Sequence, residues 1–157
     1  MRWLKQWWPA LVWAVVISGF STGVFTADNT SRIIVPVLRW LLPRASLDTL
    51  FQIHHYIRKS AHFTEYFILS LLILRGIRGG RRDARLAWAL AAIAIVAGYA
   101  SLDEFHQMFV PGRTAAVADV LLDTSGGIAA QAIAALVILL GHVREKRRQQ
   151  ESALPAK

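Results

Sequence analysis

Five carboxylates, a histidine and two basic side chains stand beside the oiliest parts of this chain, at spacings that place them on shared helix faces. Lys59, His62 and Glu65 follow one another at i, i+3 steps, so one helix carries all three on one face. Asp103 and Glu104 stand four and three residues before Gln107, and Asp119 stands four before Asp123. Arg113 closes a Pro111-Gly112-Arg113 turn between them. Such a set has three chemical uses. Carboxylates crowded together or half buried hold protons more tightly, and beside a histidine they can exchange them with a substrate. The planar fork of Arg113 can clamp a phosphate or carboxylate, with Lys59 adding a point charge. Asp103, Glu104, Asp119 and Asp123 are also hard oxygen donors of the kind that hold Mg²⁺ or Ca²⁺. No standard metal motif accompanies them, and the nearby cations argue against one, so no metal and no cofactor are assigned. The catalytic candidates are His62, Glu65, Asp103 and Glu104; the substrate-binding candidates are Lys59, Gln107, Arg113, Asp119 and Asp123. For any one of these residues taken singly, a salt-bridge lattice is the better account. His54, His55 and His106 read as packing or interfacial residues.

The elements that must position this set are apolar. The chain has 157 residues, enough for one domain, with 55% hydrophobic residues and a mean hydropathy of +0.40; soluble domains usually hold about 45–50%. Against 10 Asp plus Glu stand 18 Lys plus Arg, for a net charge of +8. The basic residues cluster between apolar runs without interleaved aromatics, which argues against nucleic acid as the partner. A membrane accounts for both the oil and the charge. Cysteine is absent, which excludes disulfides and thiolate metal sites.

A helix that crosses a bilayer needs about 20 mostly apolar residues. Four runs qualify: Trp7 to Phe25, Ala61 to Ile77, Leu86 to Leu102 and Val120 to Val143. Arg2, Lys5 and a Trp3/Trp7/Trp8 belt lead the first, as at a membrane interface. A cleavable signal peptide is disfavoured, because Phe25-Thr26-Ala27 puts phenylalanine where a small residue is wanted. Basic residues concentrate in the N-terminus (Arg2, Lys5), the hairpin (Arg75, Arg78, Arg81, Arg82, Arg85) and the tail (Arg144, Lys146, Arg147, Arg148, Lys157). The positive-inside rule therefore puts both termini in the cytoplasm and residues 26–60 and 103–119 outside.

In the long outer segment, Ile33, Ile34, Val37, Leu38, Leu41 and Leu42 keep helical spacing before Pro43, and Leu47, Leu50, Phe51, Tyr56 and Ile57 follow. These predict two short amphipathic helices at the outer interface, with Asp28, Asn29, Thr30 and Ser31 as N-cap material. Gly126-Gly127, with Ala130 and Ala134, reads as a packing strip, and Gly19 to Gly23 matches GxxxG. The tail reads as solvated and mobile. The expected fold is an all-α integral membrane protein, a four-transmembrane-helix bundle with short amphipathic interfacial helices after the first span. Residues 1–143 form the membrane domain and 144–157 a basic cytoplasmic tail.

This topology brings three polar clusters to the outer membrane face. An ionisable group inside a span costs about 2.5–3.5 kcal/mol on insertion scales, so the constellation as a whole favours function. Burying Glu65, Glu104 and Asp123 in one pocket predicts Arg113 within salt-bridge distance of a carboxylate.

The stretches RKSAHFTEY, DEFHQMFVPGR and ADVLLDTSGG, in that order and each at a membrane boundary, resemble the VanZ-like family of small bacterial membrane proteins. The resemblance runs from the first span to the fourth. It implies that the family's polar motif falls on Lys59, His62, Glu65, Asp103, Glu104, Gln107, Arg113, Asp119 and Asp123. It also implies a role in the cell envelope, the family being associated with low-level resistance to teicoplanin. Ser21-Thr22-Gly23 stands where a Ser-Ser-Gln-like motif is frequent. The expected function is recognition, extending to chemical modification, of an anionic lipid headgroup or lipid-linked envelope component. The site would lie on the extracytoplasmic side of a multi-pass protein of the bacterial inner (cytoplasmic) membrane. The alternative is a non-enzymatic scaffold or binding protein that alters envelope properties or antibiotic access. A transporter ranks third, since four spans are few and no broken-helix repeat is seen. Membrane lipids are the expected partners; catalysis and oligomeric state stay open at this point.

Overall fold

The computed structural model describes residues 2–81, 83–113 and 116–152, all helices and connections with no strand among them. Arg82 and Lys157, counted above with the basic clusters, lie outside the described residues. Helix α1 spans Arg2–Phe20, and a 3-10 turn covers Gly23–Phe25; α2 is Ala27–Leu41, α3 Leu47–Arg78, α4 Leu86–Gln107 and α5 Val117–Ser152.

Local chemistry explains most of these limits. Pro9 sits inside α1 and has no N–H for the carbonyl of Lys5 four residues back. Arg75 supplies the missing donor, its Nη2 lying 3.4 Å from the Lys5 oxygen. That contact ties the start of α1 to the end of α3. At its far end α1 stops at Phe20 rather than running to Phe25 as the apolar run predicts. Thr22 Oγ1 turns back onto the Gly19 carbonyl at 2.7 Å. Arg113 Nη2 then takes the carbonyls of Phe20, Thr22 and Phe25, groups that a continuing helix would have used.

Thr26 caps α2, accepting from the Asn29 amide at 3.3 Å, so the cap precedes the predicted Asp28–Ser31 stretch. The second amphipathic piece is not a separate helix. Residues 51–60 contain neither Gly nor Pro, nothing there breaks the backbone, and the piece continues into the second apolar run as the single 32-residue α3. Ser46 caps α3 through the Thr49 amide at 3.1 Å. Gly79 ends it at φ 60°, a left-handed conformation that glycine adopts without steric cost. The tail also departs from expectation. Arg144 to Ser152 continue α5 as helix, because Arg, Glu, Lys and Gln are good helix formers and no breaker intervenes.

Of these helices, α4 and the 117–149 stretch of α5 are long and apolar enough to cross a membrane by length and composition. Helices α1 and α3 do not meet that test, so the described residues hold two such helices where the run lengths suggested four. Arg58, Lys59, His62 and Glu65 interrupt the oil of α3.

The core lies where α3, α4 and α5 meet the inner side of α1. Ile17, Tyr66, Leu69, Ile73, Ala92, Val96 and Ala100 are buried there. Gly126 permits the closest approach: a Cβ on it would stand 2.4 Å from the Phe63 carbonyl oxygen. The predicted glycine strip is thus a helix contact, whereas a Cβ on Gly19 would meet nothing within 4 Å. Helices α3 and α5 run in the same direction, and their contact decides which side chains face each other at the site.

Candidate functional site

At the end of the bundle opposite the basic 79–85 hairpin, a polar cavity of about 160 Å³ opens between α3, α4 and the start of α5. Lys59, His62, Glu104, Gln107, Arg113 and Asp119 line it, as does Arg58. Three predicted members sit behind or beside this wall. Asp103 is buried in a chain of hydrogen bonds. Ser21 Oγ donates to its Oδ2 at 2.7 Å, Gln107 Nε2 donates to the same oxygen at 2.9 Å, and Arg113 Nη1 donates to Gln107 Oε1 at 3.2 Å. The i, i+4 spacing of Asp103 and Gln107 on α4 sets the middle link. Asp103 therefore fixes the orientation of Gln107 and, through it, of Arg113.

Glu65 and Asp123 lie on the inner side of His62. Its Nδ1 is 3.9 Å from Glu65 Oε2 and 4.0 Å from Asp123 Oδ1, both too long for a hydrogen bond. These three atoms are buried without a hydrogen-bond partner in the structure. The imidazole thus stands between the cavity and two acids, with its Nδ1 on their side. Asp123 is 1% exposed, held there by the Gly126 contact one turn further on. Glu104 is buried and its Oε2 accepts the Ala116 amide at 2.9 Å, which anchors the loop before α5. Lys59 pairs with Asp119, each about one-third exposed.

Arg113 does not behave as expected. Among the described residues it makes no salt bridge with any carboxylate; it donates to Gln107 and to three main-chain carbonyls. The end of α1 and the 3-10 turn after it offer those carbonyls, and they outcompete the acids for the guanidinium. Sequence reasoning also missed Arg58, whose Nη1 donates to the Phe25 carbonyl at 2.9 Å and to Thr30 Oγ1 at 3.1 Å. Two guanidinium groups therefore meet at one carbonyl oxygen, and Arg58 likewise forms no salt bridge among the described residues. Burial, and after it the charge of Arg113, push the pKa of Arg58 down from its ordinary value; arginine stays charged nonetheless. A signal for Arg58 was present, since Arg58, His62 and Glu65 follow i, i+4, i+7 spacing. His55, read above as a packing or interfacial residue, also lies on the cavity wall; its signal was the same spacing with Lys59 and His62, and that of Ser21 was its place in the Ser21-Thr22-Gly23 stretch. His54 is a packing residue: it is buried, and its Nε2 is 3.1 Å from Thr30 Oγ1. His106 is exposed.

A family model described as VanZ/LLP1 matches residues 6–139, from the first turns of α1 to well along α5. The chain belongs to the VanZ/LLP1 family. No curated protein and no solved structure matches it. The VanZ/LLP1 match includes every wall of the cavity and leaves out only the two ends of the chain. Family and apolar helices together fit a membrane protein.

No group of three or more His, Asp or Glu side chains converges as a metal site among the described residues. The chemistry open to the cavity is anion binding at its arginines and proton exchange at His62.

Proposed function

We propose that this VanZ/LLP1 protein crosses the bacterial inner membrane four times with both ends cytoplasmic. Its outer cavity then binds the anionic group of a cell-envelope component, a lipid headgroup or lipid-linked precursor. One observation carries the reading: Arg58 and Arg113 converge on the Phe25 carbonyl with no carboxylate paired to either among the described residues. Two partly buried guanidinium groups repel each other, and an anion with several oxygens relieves both at once. The position of the basic hairpin at the opposite end supports the orientation. His62, backed by Glu65 and Asp123, is the group placed to move a proton if the bound component is modified, with Glu104 as the second titratable wall. Family membership makes an effect on glycopeptide sensitivity the phenotype to examine. The scaffold reading has its own support, in the closed contacts of Asp103, Lys59 and Asp119.

Inorganic phosphate should raise the melting temperature of the detergent-purified protein, since a ligand that binds only the folded state stabilises it. Chloride at equal ionic strength should not, and Arg58→Gln should abolish the rise. Equal effects of the two salts would contradict the anion site. For orientation, the cysteine-free chain allows single cysteines at Arg81 and Phe109, both exposed. An impermeant thiol reagent applied to intact spheroplasts should label position 109 and spare 81; the reverse pattern would invert the topology.

A further inference from the structure

Arg58, His62 and Arg113 have a second side. Away from the polar cavity they border a groove of about 340 Å³ whose other walls are apolar (Phe20, Phe25, Ile34, Ile57 and Ala61) except at Thr30 and Glu65. The groove runs between the end of α1, helix α2 and the middle of α3. One partition of three side chains thus separates a polar hollow from a largely apolar one.

Resting on the anion reading, we infer that the ligand is a phosphate-bearing lipid. Its phosphate lies against Arg58 and Arg113, its polar remainder in the cavity, and a hydrocarbon chain in the groove between α2 and α3. A free anion would use the arginines and leave Phe20, Phe25, Ile34 and Ile57 facing water, whereas an amphiphile satisfies both walls together. Charge complementarity chooses the phosphate: Arg58 and Arg113 at the shared wall carry no carboxylate partner among the described residues, while Lys59 is already matched by Asp119. Helix α2 supplies the route. Its Ile33, Val37, Trp40 and Leu41 are exposed, the outward face of an interfacial helix that rests on hydrocarbon. A chain entering beside Ile34 therefore comes from the bilayer without crossing water.

The test uses the full chain purified in a nonionic detergent and three probes: dioleoyl phosphatidic acid, glycerol 3-phosphate and dioleoylglycerol. Binding is read by native mass spectrometry and melting temperature. Phosphatidic acid should bind tightest, glycerol 3-phosphate at least about tenfold more weakly, and dioleoylglycerol not measurably, because even two buried methylenes are worth about tenfold. Ile34→Trp, which fills the groove, should remove the advantage of phosphatidic acid and leave glycerol 3-phosphate binding unchanged. Ala61→Phe, on an exposed position of the same groove, gives the same test if the first variant fails to accumulate. Equal affinity for the lipid and its headgroup, or lipid binding untouched by both groove variants, would overturn the inference while leaving the anion site standing. Failure of both phosphate probes to bind would overturn the two together.

Discussion

Two polar sets cross the same α3–α5 contact, and they are built in opposite ways. Ser70 lies eight residues after His62 on α3, and Gln131 lies eight after Asp123 on α5; the two helices run in the same direction, so the pairing repeats about 12 Å further into the bundle. The inner set is closed. Ser70 Oγ donates to the Gly127 carbonyl at 3.0 Å, and Gln131 Nε2 reaches Ser70 Oγ at 2.7 Å and the Ser70 carbonyl at 3.1 Å. In the outer set, His62 Nδ1 stands 3.9 Å from Glu65 and 4.0 Å from Asp123, and all three have a buried atom without a hydrogen-bond partner in the structure. A buried polar group without a partner is costly, and a satisfied network is architecture. The difference separates what holds the helices together from what, on the proposed function, the outer cavity keeps for a ligand.

The comparison breaks most severely if the two helices are forced apart. Gly126→Val puts side-chain atoms where the Phe63 carbonyl stands, an overpacking that should cost about 3 kcal/mol. The melting temperature in detergent should fall sharply and both polar sets should fail together. A well-folded Gly126→Val protein would show that the close approach is not what positions Asp123.

Removing the closed set should be costly for stability alone. Gln131→Ala deletes two hydrogen bonds to Ser70 and leaves a small void, a loss of about 2 kcal/mol. At matched membrane abundance its ligand binding should equal that of the unaltered protein. Lost binding with intact folding would mean that the inner set belongs to the site.

The smallest effect should come from the rim. Lys59 and Asp119 are partly exposed, and such pairs contribute about 1 kcal/mol or less. Lys59→Gln should melt within about one such increment of the unaltered protein, and its stability should vary little with salt. A large, salt-dependent drop would promote the pair from rim contact to structural tie.

Helix placement was legible in the sequence where Pro43 separates α2 from α3 and where the basic 75–85 stretch separates the second apolar run from the third; the cap of α2 was not, since Thr26 precedes the Asp28–Ser31 stretch. Where no breaker marks a limit, α3 and α5 run further than their apolar patterns predict. Helix α3 begins at Leu47 because nothing interrupts residues 51–60, and α5 runs through its basic tail for the same reason. The end of α1 depended on Arg113, 93 residues beyond Phe20, a contact that no local pattern encodes. Helical spacing placed Lys59, His62, Glu104, Gln107 and Asp119 on one end of the bundle, and they do share a cavity wall. Spacing could not say that Arg113 would prefer carbonyl oxygens to carboxylates, since charge pairing was the only partner it offered. Nor could it rank Arg58 above Lys59, because adjacent residues both lie within reach of His62 on a helix and only the position of Phe25 separates them.

The most direct test of the distinction between the two sets is His62→Ala, introduced into a deletion strain and assayed for whichever phenotype the deletion shows, with glycopeptide sensitivity, the phenotype proposed above, examined first. Membrane abundance and detergent melting are measured beside it. A cavity kept for a ligand predicts a protein that accumulates and melts like the unaltered one, or slightly higher, because a buried unpartnered nitrogen is gone, yet fails to restore the phenotype. Full restoration, or loss of folding in parallel with loss of function, would contradict the account and make the outer set a part of the scaffold.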